Sequence, residues 1–266
     1  MKGCAVTATP CRTTSLARCI AAHSQATHPR ARESARPDAM DIFPVVAITG
    51  PSGSGKSTLT ALCARCLRDS FGVNAQTIHQ DHFFLGPKPK SYWDMEDKDH
   101  PGAIDMAKLH GAVRASAEKL SEDASEAPKI LLIEGFLLLQ DVPIMGLVNA
   151  VLFVGADSPT CLQRRLKRSE RTEHEREGCK VYYEKCVWPG FLKYTQPELE
   201  KLRSGTADGG GVHLHLRELD GEADVHAVAE QAMHALLDRL PGVQANPAAV
   251  REAVATAVLR SSTGVS

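Results

Sequence analysis

The sequence predicts an α/β fold, a parallel sheet flanked by helices and closed by a small lid. Three observations carry that expectation. From residue 44 onward, short apolar runs alternate with segments of helical spacing, the pattern of strand–helix units wound on a parallel sheet. A glycine-rich loop, "GPSGSGKST" (50–58), joins the first apolar run to the first helical segment. And 266 residues with 43% hydrophobic side chains can bury one domain of about 200 residues plus extensions.

Taken in order, "PVVAIT" (44–49) reads as the first strand, and Ser57 to about Asp69 as a helix. "NAQTIHQD" (74–81) reads as a second strand ending in polar residues. A loop rich in aromatics and proline follows, from Phe83 to Gly102. "IDMAKLHGAVRASAEKL" (104–120) has helical spacing, and "SEDASEAP" is an acidic surface loop. "KILLIEGFLLL" (129–139) and "AVLFVGA" (150–156) read as buried strands. A helix starts near Ser158 and Pro159, with Ser at its cap and Pro in its first turn. "TADGGG" (206–211) is a loop before the strand "VHLHLREL" and the helix "ADVHAVAEQAMHALLDRL". The expected division is an extension over 1–40, a domain over 41–240 with a lid at about 164–187, and a tail over 241–266 that is helical near 248–259.

The first 40 residues differ from the rest. "CRTTSLARCIAAHSQATHPRARESARPDAM" (11–40) is rich in Ala, Arg, Ser and Thr, with Glu33 and Asp38 its only acids. That is the composition of an organellar presequence, which would direct the chain to mitochondria. The rival is a disordered extension before a start at Met40, leaving the chain cytoplasmic. A formal net charge of −1, from 31 basic and 32 acidic side chains, gives no general attraction to nucleic acid or membrane. The longest apolar stretch, "ILLIEGFLLL", is interrupted by Glu134 and is half the roughly 20 residues that span a bilayer. The expected partner is therefore a small molecule, bound by a monomer or a simple homo-oligomer. Eight cysteines at irregular intervals read as reduced intracellular thiols. Cys63 and Cys66 form a CxxC, but they share a face of a helical segment, which favours packing over redox chemistry.

The loop fits the phosphate-binding pattern GxxxxGK[ST]. Gly50, Gly53 and Gly55, with Pro51, Ser52 and Ser54 between them, let backbone N–H groups close on phosphate oxygens. The helix that follows directs its positive end at the same oxygens. Lys56 reaches the β- and γ-phosphates, and the Ser57 hydroxyl, beside Thr58, is placed for Mg²⁺. A bound nucleoside triphosphate is the expectation.

Three further sites narrow the chemistry. Asp81 closes the second strand; beside a γ-phosphate it would accept a proton from an acceptor hydroxyl, orient that hydroxyl or approach Mg²⁺. Equally, it would cap a helix or turn. Glu134 sits among large aliphatics, where a carboxylate is costly unless paired or metal-bound. A Mg²⁺ role suits its place at the end of a central strand, with an ion pair as the rival. "CLQRRLKRSER" (161–171) puts Arg164 and Arg168 on one helical face and Arg165 about 100° away. Such a helix can clamp phosphates on one side and touch an acceptor on another. Its rival is a solvated face paired with Glu170 and Glu173. A nucleic-acid role is weaker, because the cluster is short, flanked by acids and lacks interleaved aromatics.

In order and approximate spacing, the glycine loop, "QDHFF", "DHPGAID", "LLIEGFLLL", "CLQRRLKR", "VWPGFLKY" and "LDG" resemble nicotinamide riboside kinases. These belong to the uridine kinase-like branch of small-molecule P-loop kinases, and the similarity covers roughly residues 43–238. The resemblance implies a P-loop NTPase fold like that of nucleoside monophosphate kinases. It implies phosphorylation of the 5′-hydroxyl of nicotinamide riboside by ATP and Mg²⁺, giving nicotinamide mononucleotide in NAD salvage. By motif, Asp81 resembles the proton acceptor, with His82, Phe83 and Phe84 lining the acceptor pocket. Ser57, Glu134 and Asp81 would surround Mg²⁺. Arg165 would touch the acceptor, Arg164 and Arg168 the ATP, and Asp220, Gly221 and Glu222 would lie by the adenine.

The family's aromatic–Asp pair, which holds the nicotinamide ring and the ribose hydroxyls, maps in two ways. Matching through "DHPGAID" gives Asp99, with Lys98 where an aromatic belongs, and a lysine beside a cationic pyridinium is repulsive. A shift of five residues gives Trp93 and Asp94. The reading adopted is Asp99 for the ribose and Trp93 for the ring. The lid segment "TEHEREGCKVYYEKC" (172–186) is longer and more charged than the resemblance implies, with Tyr182 and Tyr183 available for a second ring contact. Uridine or cytidine is the alternative acceptor, since "DHPGAID" resembles uridine kinases at least as well. A P-loop regulator without transfer activity is disfavoured by intact Lys56, Ser57, Asp81 and Glu134, and a GTPase by the absence of a guanine-reading "NKxD".

Overall fold

The computed structural model describes residues 43–87, 90–168, 171–205, 214–244 and 246–263. The extension over 1–40 and the loop over 206–211 lie outside them. Five strands, β1 (Val45–Thr49), β2 (Asn74–His79), β3 (Lys129–Gly135), β4 (Ala150–Gly155) and β5 (His215–Asp220), all pair in parallel in the order β2-β3-β1-β4-β5. Parallel neighbours need long crossovers, normally helices. Here the helices are α1 (Lys56–Phe71), α2 (Met106–Glu122), α3 (Val142–Met145), α4 (Ser158–Lys167), α5 (Glu173–Tyr182), α6 (Trp188–Gly190), α7 (Gln196–Arg203), α8 (Val225–Leu237) and α9 (Pro247–Thr263).

The strand period of two decides which helices each strand meets. Val46 and Ile48 of β1, Ile130 and Leu132 of β3, and Leu152 and Val154 of β4 pack in one core with α1, α8 and α9. Their neighbours Val45, Ala47, Leu131, Ile133, Val151 and Phe153 pack in the other with α2, α3 and α7. Burial on both faces is why these strands read as continuous apolar runs.

Several boundaries shift from expectation. β2 stops at His79, and Gln80–Phe83 form a 3₁₀ turn that carries Asp81 beyond the strand. The strand read over 129–139 ends at Gly135, although Phe136 to Leu139 remain buried. The cap of α4 is Asp157, whose carboxylate accepts from Thr160 N, rather than Ser158; a carboxylate also suits the positive end of the helix. The segment after Pro241 forms α9, and Val250, Ala253, Val254 and Ala257 bury one side of it against α1 and α8.

From Glu173 to Arg203 the chain stays helical, α5 to α7, with π turns at Tyr183–Val187 and Phe191–Thr195. Each π turn ends two residues before a proline, Pro189 or Pro197. Proline lacks an N–H and its ring crowds the carbonyl four residues back, and a widened turn relieves both.

Among the described residues no helix is long and apolar enough to cross a membrane. Cys63, Cys66, Cys161 and Cys179 are free and buried. Burial pushes the Cys63 thiol far up and that of Cys66 to about 11, so the CxxC on α1 is core packing.

Candidate nucleotide and acceptor site

Ligands of open parallel sheets sit beyond the C-terminal ends of the strands. There, Gly50–Gly55 connect β1 to Lys56, the first residue of α1. Gly50 adopts φ 149°, and a Cβ on it would lie 2.2 Å from the Val154 carbonyl oxygen, so only glycine lets the loop pass β4.

Glu134 shares a strand face with Ile130 and Leu132, the face turned to α1. In register it lies between Ile48 of β1 and His79 of β2. Its side chain is 2% exposed; Oε1 accepts from the Ser57 hydroxyl at 3.1 Å and lies 3.7 Å from Lys56 Nζ. Oε2 is 2.9 Å from His79 Nδ1. Three partners thus compensate a buried charge. The ion-pair reading of Glu134 finds its cation in the loop's own lysine. Mg²⁺ takes hard oxygen donors and keeps substrate phosphates among its ligands. A serine hydroxyl beside a buried carboxylate at the foot of the loop fits that chemistry. Asp81, the third expected ligand, is exposed on its turn and makes no hydrogen bond to Ser57 or Glu134 among the described residues.

α4 lies across the loop. Arg164 Nη1 donates to the Ser54 carbonyl at 3.0 Å, and Arg165 Nη1 donates to the Ser52 hydroxyl. Arg164 and Arg168 line a cavity of about 330 Å³ together with Gly53, Thr58, Gly221 and Val225; Arg165 does not line it. Burial, then the neighbouring Arg165, hold the Arg168 guanidinium below its ordinary range, against Asp81, Tyr92 and Glu134. One arginine therefore lies within electrostatic reach of both carboxylates.

Of the residues expected beside the adenine, Gly221 lines the cavity. Asp220 Oδ1 accepts from Glu222 N at 2.9 Å. The Glu222 carboxylate is drawn instead to the start of α4, accepting from Asp157 N at 2.6 Å and from the Thr160 hydroxyl.

Of the residues expected to hold the acceptor, Asp99 is 8% exposed and its Oδ2 accepts from the Tyr182 hydroxyl at 2.8 Å. Burial raises the Asp99 carboxyl above its ordinary range, opposed by the Tyr182 hydrogen bond, Arg165 and Lys56. Asp94 is exposed, so the enclosed member of the two aspartates is Asp99. Trp93 departs from expectation. Its indole N–H donates to the His174 carbonyl at 3.1 Å and its ring stacks on His174 at 5.3 Å, making it a strap onto α5. Phe84 stacks on Phe136 at 5.9 Å, Phe83 packs into the core beneath, and exposed His82 lies 5.5 Å from the His79 ring. Tyr182 and Tyr183 are buried, the latter bonded to the Ser158 carbonyl, so both serve contacts within the protein. The sequence reading missed His79 against Glu134 and Tyr182 against Asp99. The one hint of the first is the position of each at the polar end of its strand.

A family model described as "Phosphoribulokinase / Uridine kinase family" matches residues 110–203. The uridine kinase of Escherichia coli (strain K12) is 29% identical over 176 residues, covering 58% of this chain and 81% of that protein. The uridine kinase of Serratia proteamaculans (strain 568) is 28% identical with the same coverage. Among solved structures, TT1252 from Thermus thermophilus is similar over 75% of this chain and 99% of its own, with a TM-score of 0.40 and 20% identity. The parallel sheet, the glycine loop leaving β1 and the sequence likenesses make this a P-loop NTPase fold, similar in sequence to uridine kinases.

Proposed function

We propose that this protein is an ATP-dependent kinase of a riboside 5′-hydroxyl, with nicotinamide riboside as acceptor and nicotinamide mononucleotide as product, a step of NAD salvage. The observation that carries the kinase reading is the buried Glu134–Lys56 pair, with the exposed Ser57 hydroxyl bonded to it, beneath a glycine loop crossed by the arginines of α4. The 5′-oxygen attacks the γ-phosphorus, the bond from that phosphorus to the β–γ bridging oxygen breaks, and the hydroxyl proton passes to Asp81. Lys56, Arg164 and Arg168 neutralise the phosphates, which is where most of the catalysis in such transfers lies. Mg²⁺, held through Ser57 and Glu134, supplies further charge neutralisation when bound. Asp81, exposed on its turn, is open to an incoming alcohol. Asp99 holds the ribose hydroxyls, and Arg165 approaches the acceptor from α4.

The nicotinamide assignment rests on "VWPGFLKY" and "IEGFLLL". A second reading, uridine or cytidine as acceptor, is favoured by the 29% identical relatives and by Lys98 beside Asp99, since an ammonium disfavours a pyridinium. Incubation with ATP, Mg²⁺ and each riboside, read by product mass and kcat/KM, separates them. A preference for nicotinamide riboside supports the first reading, and a large preference for uridine replaces it with the second.

A further inference from the structure

Tyr182, the last residue of α5, is 4% exposed and joins that helix to the loop carrying Asp99. Its hydroxyl oxygen receives the backbone N–H of Lys98 at 2.9 Å. A phenol has a single proton, so with a donor already on its oxygen that proton is committed to Asp99 Oδ2, 2.8 Å away. Asp99 N donates to Asp97 Oδ1 at 2.8 Å. Behind the residue lies Gly190 of α6, where a Cβ would come 2.4 Å from the Asp99 carbonyl oxygen and 3.1 Å from its Cβ. The same loop is strapped to α5 two turns earlier, by Ser91 and Tyr92 on Glu175 and Trp93 on His174. Asp99 is thus fixed through its backbone and one carboxylate oxygen. Its other oxygen has no hydrogen bond among the described residues. The charged and titratable groups acting on it are Arg165, Lys56, Asp97, Tyr182 and Cys186.

We propose that Tyr182 is a positioning residue that holds Asp99 with one oxygen engaged and the other presented to ribose hydroxyls, so that ribosides are selected over their deoxy analogues. This rests on the reading of Asp99 as the ribose ligand. A desolvated carboxylate makes a strong charge-assisted bond to a hydroxyl, and an analogue lacking that hydroxyl leaves the charge unpaired.

Tyr182→Phe removes only the hydroxyl. With the preferred riboside it raises KM about ten-fold while kcat and the KM for ATP stay within about two-fold, the loss of a hydrogen bond to a charged group. With the 2′,3′-dideoxy analogue it changes little, so the preference for the riboside narrows. The acid limb of kcat/KM moves to higher pH, because the bond opposing the effect of burial on Asp99 is gone. In the wild type the same preference declines at low pH as Asp99 takes up a proton, a readout independent of any variant's folding.

Unchanged KM and pH profile in Tyr182→Phe, alongside lost riboside binding in Asp99→Asn, overturns the role of Tyr182 and leaves that of Asp99. Equal losses with riboside and dideoxy analogue make the contact merely structural and also overturn it. An Asp99→Asn variant with wild-type KM removes the ribose reading and this inference with it.

Discussion

Replacing Glu134 with Gln tests its pairing with Lys56 beneath the glycine loop. The amide still offers an oxygen to the Ser57 hydroxyl, but it removes the charge 3.7 Å from Lys56 Nζ, where the two side chains are 2% and 6% exposed. Removing one member of a buried pair costs about 3–5 kcal/mol, because the remaining charge is uncompensated. At about 2–4 °C per kcal/mol for a domain of this size, the nucleotide-free variant should lose roughly 6–20 °C in Tm. Lys56→Met costs less, since Glu134 keeps Ser57 and His79. The double variant carries neither charge and recovers part of the loss, with a coupling of about 0.5–3 kcal/mol in the mutant cycle. ATP added without Mg²⁺ brings phosphates to Lys56 and raises the Tm of Glu134→Gln more than that of the wild type. Thermal unfolding of the four proteins, with and without ATP, measures each quantity. If the single losses simply add and ATP shifts all four alike, Lys56 and Glu134 do not compensate each other.

Gly190→Ala tests the wall behind Asp99. Alanine favours a helix over glycine by about 1 kcal/mol, yet here its Cβ meets the Asp99 carbonyl oxygen at 2.4 Å. The expected outcome is a net loss of about 1–3 kcal/mol in urea titration with a raised riboside KM; a stabilised variant with normal KM would contradict the contact. Asp99→Asn tests the buried carboxyl. Burial raises the folded-state value above the unfolded one, so the native chain binds the proton more tightly and stability falls as pH rises through that window. The Asn variant, which has no such proton, should be more stable than the wild type near neutral pH. Its advantage should vanish below the ordinary carboxylate range, where wild-type Asp99 is protonated in both states. A constant difference across pH would refute the assignment.

Much of the scaffold was legible because local rules and tertiary packing agree in it. The apolar runs at 45–49, 130–133 and 150–154 are buried on both faces, and GxxxxGK[ST] fell between a strand and a helix, as its chemistry requires. Glu134 stood out because a carboxylate among aliphatics demands partners. Those partners were harder to foresee: His79 reaches Glu134 only through the β2–β3 register, which no local pattern encodes. Tyr182 meets Asp99 across 83 positions of sequence. Trp93 is an expected ring clamp only through the resemblance, as the aromatic that a five-residue shift sets beside an aspartate. Its indole instead bonds the carbonyl of His174, on α5, whose placement depends on contacts distant in sequence. The π turns before Pro189 and Pro197 are the reverse case, a local steric cause visible in the sequence and not read there.

In the proposed reaction Lys56 grips a terminal phosphate while Asp81 receives the proton of a riboside alcohol. Single-turnover transfer from γ-labelled ATP to the preferred riboside, compared between wild type and Asp81→Ala, tests it most directly. The expected result is a fall of about 10²–10⁴-fold in the transfer rate, with Tm unchanged because Asp81 is exposed. Near-normal transfer by Asp81→Ala, or ATP breakdown by the wild type with no label on the riboside, would contradict it.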